Sequence, residues 1–147
     1  MSPEDLVKAS NAAVKLIKQF EGLRLHSYED GSGWSVGYGQ SGQHIGPGLK
    51  ITEFEAEQML KNHIAGLQEE MSELITSKIT QNQFDALVSL VYNIGINAFK
   101  RSTLLKRLNE DRHSEAGLEL LRWNHIRGVE SEGLTNRRRE EYRLFTG

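Results

Sequence analysis

Two carboxylates and one hydroxyl in a single glycine-rich stretch, Phe20 to Gln40, have the types and spacing for acid–base work. Glu21 ends an apolar-periodic run, and Asp30 follows nine residues later, just before Gly31. This spacing puts one carboxylate on a helix terminus and the other on a turn opposite it. Cleavage of a glycosidic bond needs such a pair, one carboxyl protonated to serve the leaving oxygen and one ionised. Different surroundings separate the pKa values of two chemically similar groups. A glutamate at a helix C-terminus also opposes the helix dipole, so local stability alone does not account for Glu21. Asp30-Gly31, by itself, is ordinary turn chemistry. Ser35 adds a hydroxyl able both to donate and to accept.

The flanking sequence predicts the elements that hold these groups. Ser10 is a helix N-cap, and Ala13, Val14, Ile17, Phe20 and Leu23 recur at three- and four-residue spacing, so a helix is expected over about 11–21 with Gly22 as its exit. From Leu25 to Gly39 aromatic and branched residues alternate around Asp30-Gly31 and Gly33, the pattern of a hairpin or three-stranded sheet. Gly46-Pro47-Gly48 is an irregular connection, after which Leu49 and Ile51 are expected to close the sheet. Thr52 with Glu55, and Thr80 with Gln83, are capping boxes opening two helices, the second expected to be the most buried. Ser102, Ser114 and Thr135 are read as caps of three more, the middle one ending near Trp123. The class is α+β, a small sheet with five to seven helices.

Composition permits this. At 147 residues with 37% hydrophobic residues the chain can bury one core or two small lobes. There is no cysteine, so no disulfide contributes to stability. No apolar run is long enough to span a bilayer, and Met1 to Ser10 carries acid where a secretory signal carries base, so export by another agent from the cytoplasm is expected. The net charge of −2 divides unevenly, with 7 basic and 12 acidic residues over 1–99 but 11 and 8 over 100–147. That basic excess suits approach to a polyanionic surface, or is simply a solvated helix face. The five histidines lack metal-ligand spacing, so neither metal nor cofactor is expected.

The stretch LIKQFEGLRLHSYEDGSGWSVGYG resembles the phage-type lysozymes of glycoside hydrolase family 24, whose pattern is Glu, eight residues, Asp or Cys, about five more, and Thr before an IGxGH segment. FDALVSLVYNIGINAFKRSTLLKRLN and GLTNRRREEYRLF resemble that family's helical lobe, so the likeness runs from Ala9 to Phe145. The resemblance implies a lysozyme-like single domain over 1–147: a sheet-bearing lobe at about 11–52, a connecting helix at about 53–79, and a helical lobe at about 80–147 on which residues 10–21 pack. It implies an inverting hydrolase of the β-1,4 bond between N-acetylmuramic acid and N-acetylglucosamine in peptidoglycan. Glu21 would be general acid, Asp30 and Ser35 would position water, Arg137 would pair with Glu21, and Asn136 would shape the cleft. Gly39 leaves room for a sugar chain, although sheet glycines are common. The expected partner is the glycan strand, with no nucleic acid and a monomeric protein.

Three departures stand out. Four residues, not five, separate Asp30 from the hydroxyl residue, that residue is Ser instead of Thr, and Gln40 stands where His usually follows the glycines. Serine loses the methyl that restricts the rotamer, and an ångström of misplacement can cost about 100-fold in rate, so a slower enzyme is expected. Two other readings stay open: a glycan-binding module without activity, and a lytic transglycosylase, which would leave Asp30 dispensable.

Overall fold

The structure, a computed structural model, describes residues 8–147; the acidic segment Met1–Val7 lies outside them. Helix α1 spans Asn11–Glu21 and begins at the N-cap Ser10, whose backbone N–H donates to Asp85 at 2.8 Å and whose hydroxyl donates to the same carboxylate. It buries Ala13 and Ile17 and stops at Gly22, whose φ of 71° is cheap only without a Cβ.

Strands β1 (Arg24–Glu29), β2 (Trp34–Gly37) and β3 (Gln40–Ser41) form an antiparallel sheet in that order. Glu29 pairs with Trp34 across the four-residue turn Asp30-Gly31-Ser32-Gly33, closed by the Asp30 N–H donating to the Gly33 carbonyl at 3.0 Å. The expected return at Leu49 and Ile51 is present as a single bridge. Lys50 pairs with His26, flanked by Ser27 N–H to Leu49 carbonyl and Ile51 N–H to Leu25 carbonyl, both at 2.8 Å.

Both predicted capping boxes form, opening α2 (Glu53–Leu74) and α3 (Gln81–Ile94). Helix α2 buries one stripe, Ala56, Leu60, Ile64, Leu67 and Met71, and leaves its other faces to solvent. Helix α3 is buried at every position from Phe84 to Val91, so it is the central rod of the helical lobe. Helix α1 packs against it, with its N-terminus held by Asp85 of α3. The chain continues through α4 (Ile96–Lys100), α5 (Thr103–Asn109, capped by Ser102), α6 (His113–Leu120), a hairpin of β4 (His125–Ile126) and β5 (Val129–Glu130), and α7 (Glu132–Thr146), which lies along α3.

Two expected caps are corrected. Helix α6 starts at His113, one residue before Ser114, and has no side-chain cap. Asp111 turns the chain with φ at 61°, and the Arg112–Glu115 ion pair occupies the first turn instead. It also ends at Leu120, with Trp123 in the turns beyond. Helix α7 starts a turn earlier than Thr135 predicts, because the Ser131 hydroxyl accepts from the Leu134 N–H at 3.2 Å. The Thr135 hydroxyl instead accepts from the Asn124 amide at 3.1 Å, tying the helix to the unpredicted hairpin. That hairpin turns at Arg127-Gly128, with φ of 51° and 80°, the left-handed pair a two-residue turn requires.

Candidate active site

Glu21 is the last residue of α1 and is held from two sides. Its Oε2 accepts from Arg137 Nη1 at 2.6 Å, and its Oε1 lies where a Cβ on Gly39 would come within 2.7 Å. Gly39 therefore has two reasons to be glycine, that approach and its own φ of 78°. Beyond this end of α1 the carboxylate borders a surface pocket shared with Gly22, Leu23, Arg24 and Tyr28, with the Arg24 guanidinium 4.5 Å above the Tyr28 ring. Replacing Gly39 with Ala should cost about 1–2 kcal/mol, from left-handed strain and the clash at Oε1, and at least tenfold in rate by displacing the carboxyl. Denaturant titration and initial rates check the two effects separately.

Arg137 is nearly inaccessible, its side chain 4% exposed. Its Nε donates to Glu141 at 3.2 Å and its Nη2 to the Ser89 carbonyl at 3.0 Å. Glu141, fully buried, also accepts from the Ser89 hydroxyl at 2.6 Å and from Arg138, which further donates to the Trp123 carbonyl at 2.6 Å and to Asn93. Two guanidiniums face two carboxylates, so the network is charge-balanced, and no buried side-chain polar atom among the described residues lacks a partner. A planar five-donor fork can bridge three acceptors at fixed angles, so Arg137 sets the direction from which Glu21 is held.

Asp30 is exposed at the start of the β1–β2 turn, whereas Ser35 on β2 is buried. The Ser35 hydroxyl donates to Asp30 Oδ2, so the short turn does bring the two together. Oδ1 accepts from the Ser32 hydroxyl at 2.9 Å and the Ser32 N–H at 3.1 Å. These bonds, Ser35 first and Ser32 next, hold the Asp30 carboxyl below the ordinary carboxylate range. A depressed folded pKa stabilises the fold above the ordinary value, and that contribution is lost as pH falls through the folded one. Ser35→Ala should therefore move the Asp30 midpoint back up, read from its carboxyl carbon resonance, and lower the rate roughly 10- to 100-fold. Ser35→Thr should retain both properties.

Of the other residues singled out, Asn136 is exposed on α7 and makes no side-chain hydrogen bond among the described residues, so it is not joined to Glu21 or Asp30 by one. Gln40 is not idle where the histidine was expected. Its amide donates to the Tyr92 hydroxyl, and its Oε1 lies 3.2 Å from His63 Nδ1. Ser89, Tyr92, Asn93, Arg138 and Glu141 escaped the sequence reading. The available signal was Glu141 placed four residues after Arg137 and three after Arg138, a spacing that puts all three side chains within reach on one helix. Among the described residues no three His, Asp or Glu side chains gather as a metal site, and no helix is long and apolar enough to cross a membrane.

A small antiparallel sheet beside a helical lobe, with a helix-end glutamate locked to a buried arginine, defines a lysozyme-type α+β protein. The phage lysozyme family pattern matches residues 18–141, and the chain belongs to that family. It is 41% identical over 142 residues to the endolysin of Bacillus phage PZA, covering 95% of this chain and 55% of that protein. With 53% of the Bacillus phage B103 endolysin also covered, the chain spans about half the length of these two relatives. Identity is 40% to the endolysin of Acyrthosiphon pisum secondary endosymbiont phage 1, over 92% of this chain and 96% of that one. Among solved structures, the muramidase domain of SpmX from Asticaccaulis excentricus superposes with a TM-score of 0.89 at 37% identity, covering 95% of this chain and 98% of the other.

Proposed function

We propose that this chain is a muramidase that hydrolyses the β-1,4 bond between N-acetylmuramic acid and N-acetylglucosamine in bacterial peptidoglycan. The observation that carries the reading is the placement of Glu21, with Oε2 taken by Arg137 and Oε1 set against Gly39, where any Cβ would come within 2.7 Å of it. The names of the relatives, endolysins and a muramidase domain, point the same way.

In this reading the proton is carried on Oε1, the oxygen Arg137 does not occupy, and passes to the glycosidic oxygen as the bond to the anomeric carbon breaks. Asp30 stays ionised. Ser35 has already committed its proton to Asp30, so its oxygen is left to accept from water, and the water so held has the Asp30 carboxylate beside it. Water oxygen bonds to the anomeric carbon, its proton goes to Asp30, and the sugar leaves with inverted configuration. Inversion needs the carboxyls about 6.5–9.5 Å apart with water between them, whereas about 5–5.5 Å favours a covalent intermediate and retention.

The test is product analysis on purified peptidoglycan. Release of reducing muramic acid ends, with the newly formed anomer opposite to that of the bond cut, is the expected result. Anhydro ends would assign a transglycosylase, and wall binding without new ends would assign a glycan-binding module.

A further inference from the structure

Gly39, which walls the Oε1 side of Glu21, lies between two residues that are both tied to one hydroxyl. Tyr92 on α3 donates to the Tyr38 carbonyl at 2.5 Å and accepts from the Gln40 side-chain amide. Gln40 is itself oriented, because His63 Nδ1 lies 3.2 Å from its Oε1 and the His63 ring rests on Tyr92 with centroids 4.6 Å apart. The peptide facing Glu21 is thus pinned on both sides of Gly39 to a single point on the most buried helix. One turn earlier on that helix, Ser89 holds Arg137, which grips Glu21 Oε2. Helix α3 therefore supports both oxygens of Glu21, one through a guanidinium and one through a backbone wall.

We propose that Tyr92, acting with Gln40 through Gly39, is a positioning residue for the Glu21 carboxyl. Its functional consequence rests on the reading of Glu21 as general acid. Neither residue touches the carboxyl through a bond of its own. What they fix is the glycine backbone that decides how much space Oε1 has and in which direction it points. Burial already raises the Tyr92 phenol above its ordinary value, so the hydroxyl remains a donor throughout the working pH range. Gln40 suits this role because its two-ended amide donates to Tyr92 while accepting from His63.

The experiment compares the parent with Tyr92→Phe, Gln40→Leu and the double variant, using the full chain. Two readouts are taken: kcat and KM on soluble glycan strands, and the Glu21 carboxyl carbon resonance, with the Asp30 resonance as internal control. Tyr92→Phe should lower kcat about tenfold with KM within about twofold. Gln40→Leu should lower kcat about threefold, and the double variant should be no slower than Tyr92→Phe, because both act through one hydroxyl. The Glu21 resonance should move in all three while that of Asp30 stays in place. Gln40→Glu, which keeps the shape but cannot donate to Tyr92, should behave like Gln40→Leu. An unmoved Glu21 resonance in Tyr92→Phe overturns the proposal, as does a kcat loss that only matches the loss of folded protein. If the parent releases no sugar ends, the hydrolase reading fails, and the resonance still decides the positioning.

Discussion

Glu21→Gln should abolish release of new sugar ends while leaving the protein folded and able to sediment with the wall. The amide keeps the size of the side chain, and its carbonyl oxygen can still accept from Arg137 Nη1. What it lacks is a proton to surrender. General acid catalysis contributes about 10²–10⁴ in rate, and the glycosidic oxygen is a poor leaving group without protonation, so the loss should fall at the upper end of that range. Stability should change little. Arg137 retains Glu141 and the Ser89 carbonyl, and the melting temperature should stay within about 5 °C of the parent. Initial rates on purified wall, a melting curve and a sedimentation assay together decide the matter. A variant that retains a tenth of the parent rate would remove Glu21 from the role of acid. A parent as inactive as the variant, both still bound to wall, would leave a binding module.

Legibility followed the range of the interactions. Helix α1, from its Ser10 cap to its Gly22 exit, and the two capping boxes were readable because each is written within a few consecutive residues. The start of α7 was misread because Ser131 and Thr135 are equally good local caps. The choice between them falls to Asn124, which takes the Thr135 hydroxyl from across the hairpin. The hairpin itself hid because its turn uses Arg127 where Asn or Asp would have announced a left-handed residue. At the site, Glu21, Asp30 and Ser35 share one short stretch and could be chosen together. Arg137, 116 residues away from Glu21, was reachable only through the resemblance. Ser89 is drawn in only by the packing of α7 on α3, and Tyr92 only by the packing of α3 against the Tyr38–Gln40 segment of the sheet lobe. Gln40 shows the limit most clearly. Read as the loss of a histidine, it is a substitution with its own partners, Tyr92 and His63, and a hydrogen-bond pair now occupies the place where a titrating group was expected.

Removing the guanidinium of Arg137 should give the largest stability loss of any single change in the site. Arg137→Met keeps much of the aliphatic bulk but leaves Glu141, fully buried, with only Arg138 and the Ser89 hydroxyl, and leaves Glu21 without its cation. Removing one member of a buried ionic network costs about 3–5 kcal/mol, because Glu141 keeps its full desolvation penalty with one guanidinium fewer to offset it. Against a total of roughly 5–15 kcal/mol for a domain, that is a large fraction, and a fall in melting temperature of about 10–20 °C should follow. Arg137→Lys should recover only part of it. An ammonium restores the charge but cannot reach Glu21, Glu141 and the Ser89 carbonyl at once as the planar fork does. Denaturant titration of the parent, Arg137→Met and Arg137→Lys side by side reads the loss and its partial recovery. If Arg137→Met is inactive yet as stable as the parent, the arginine serves only to aim Glu21, and the buried network contributes nothing to holding α3 and α7 together.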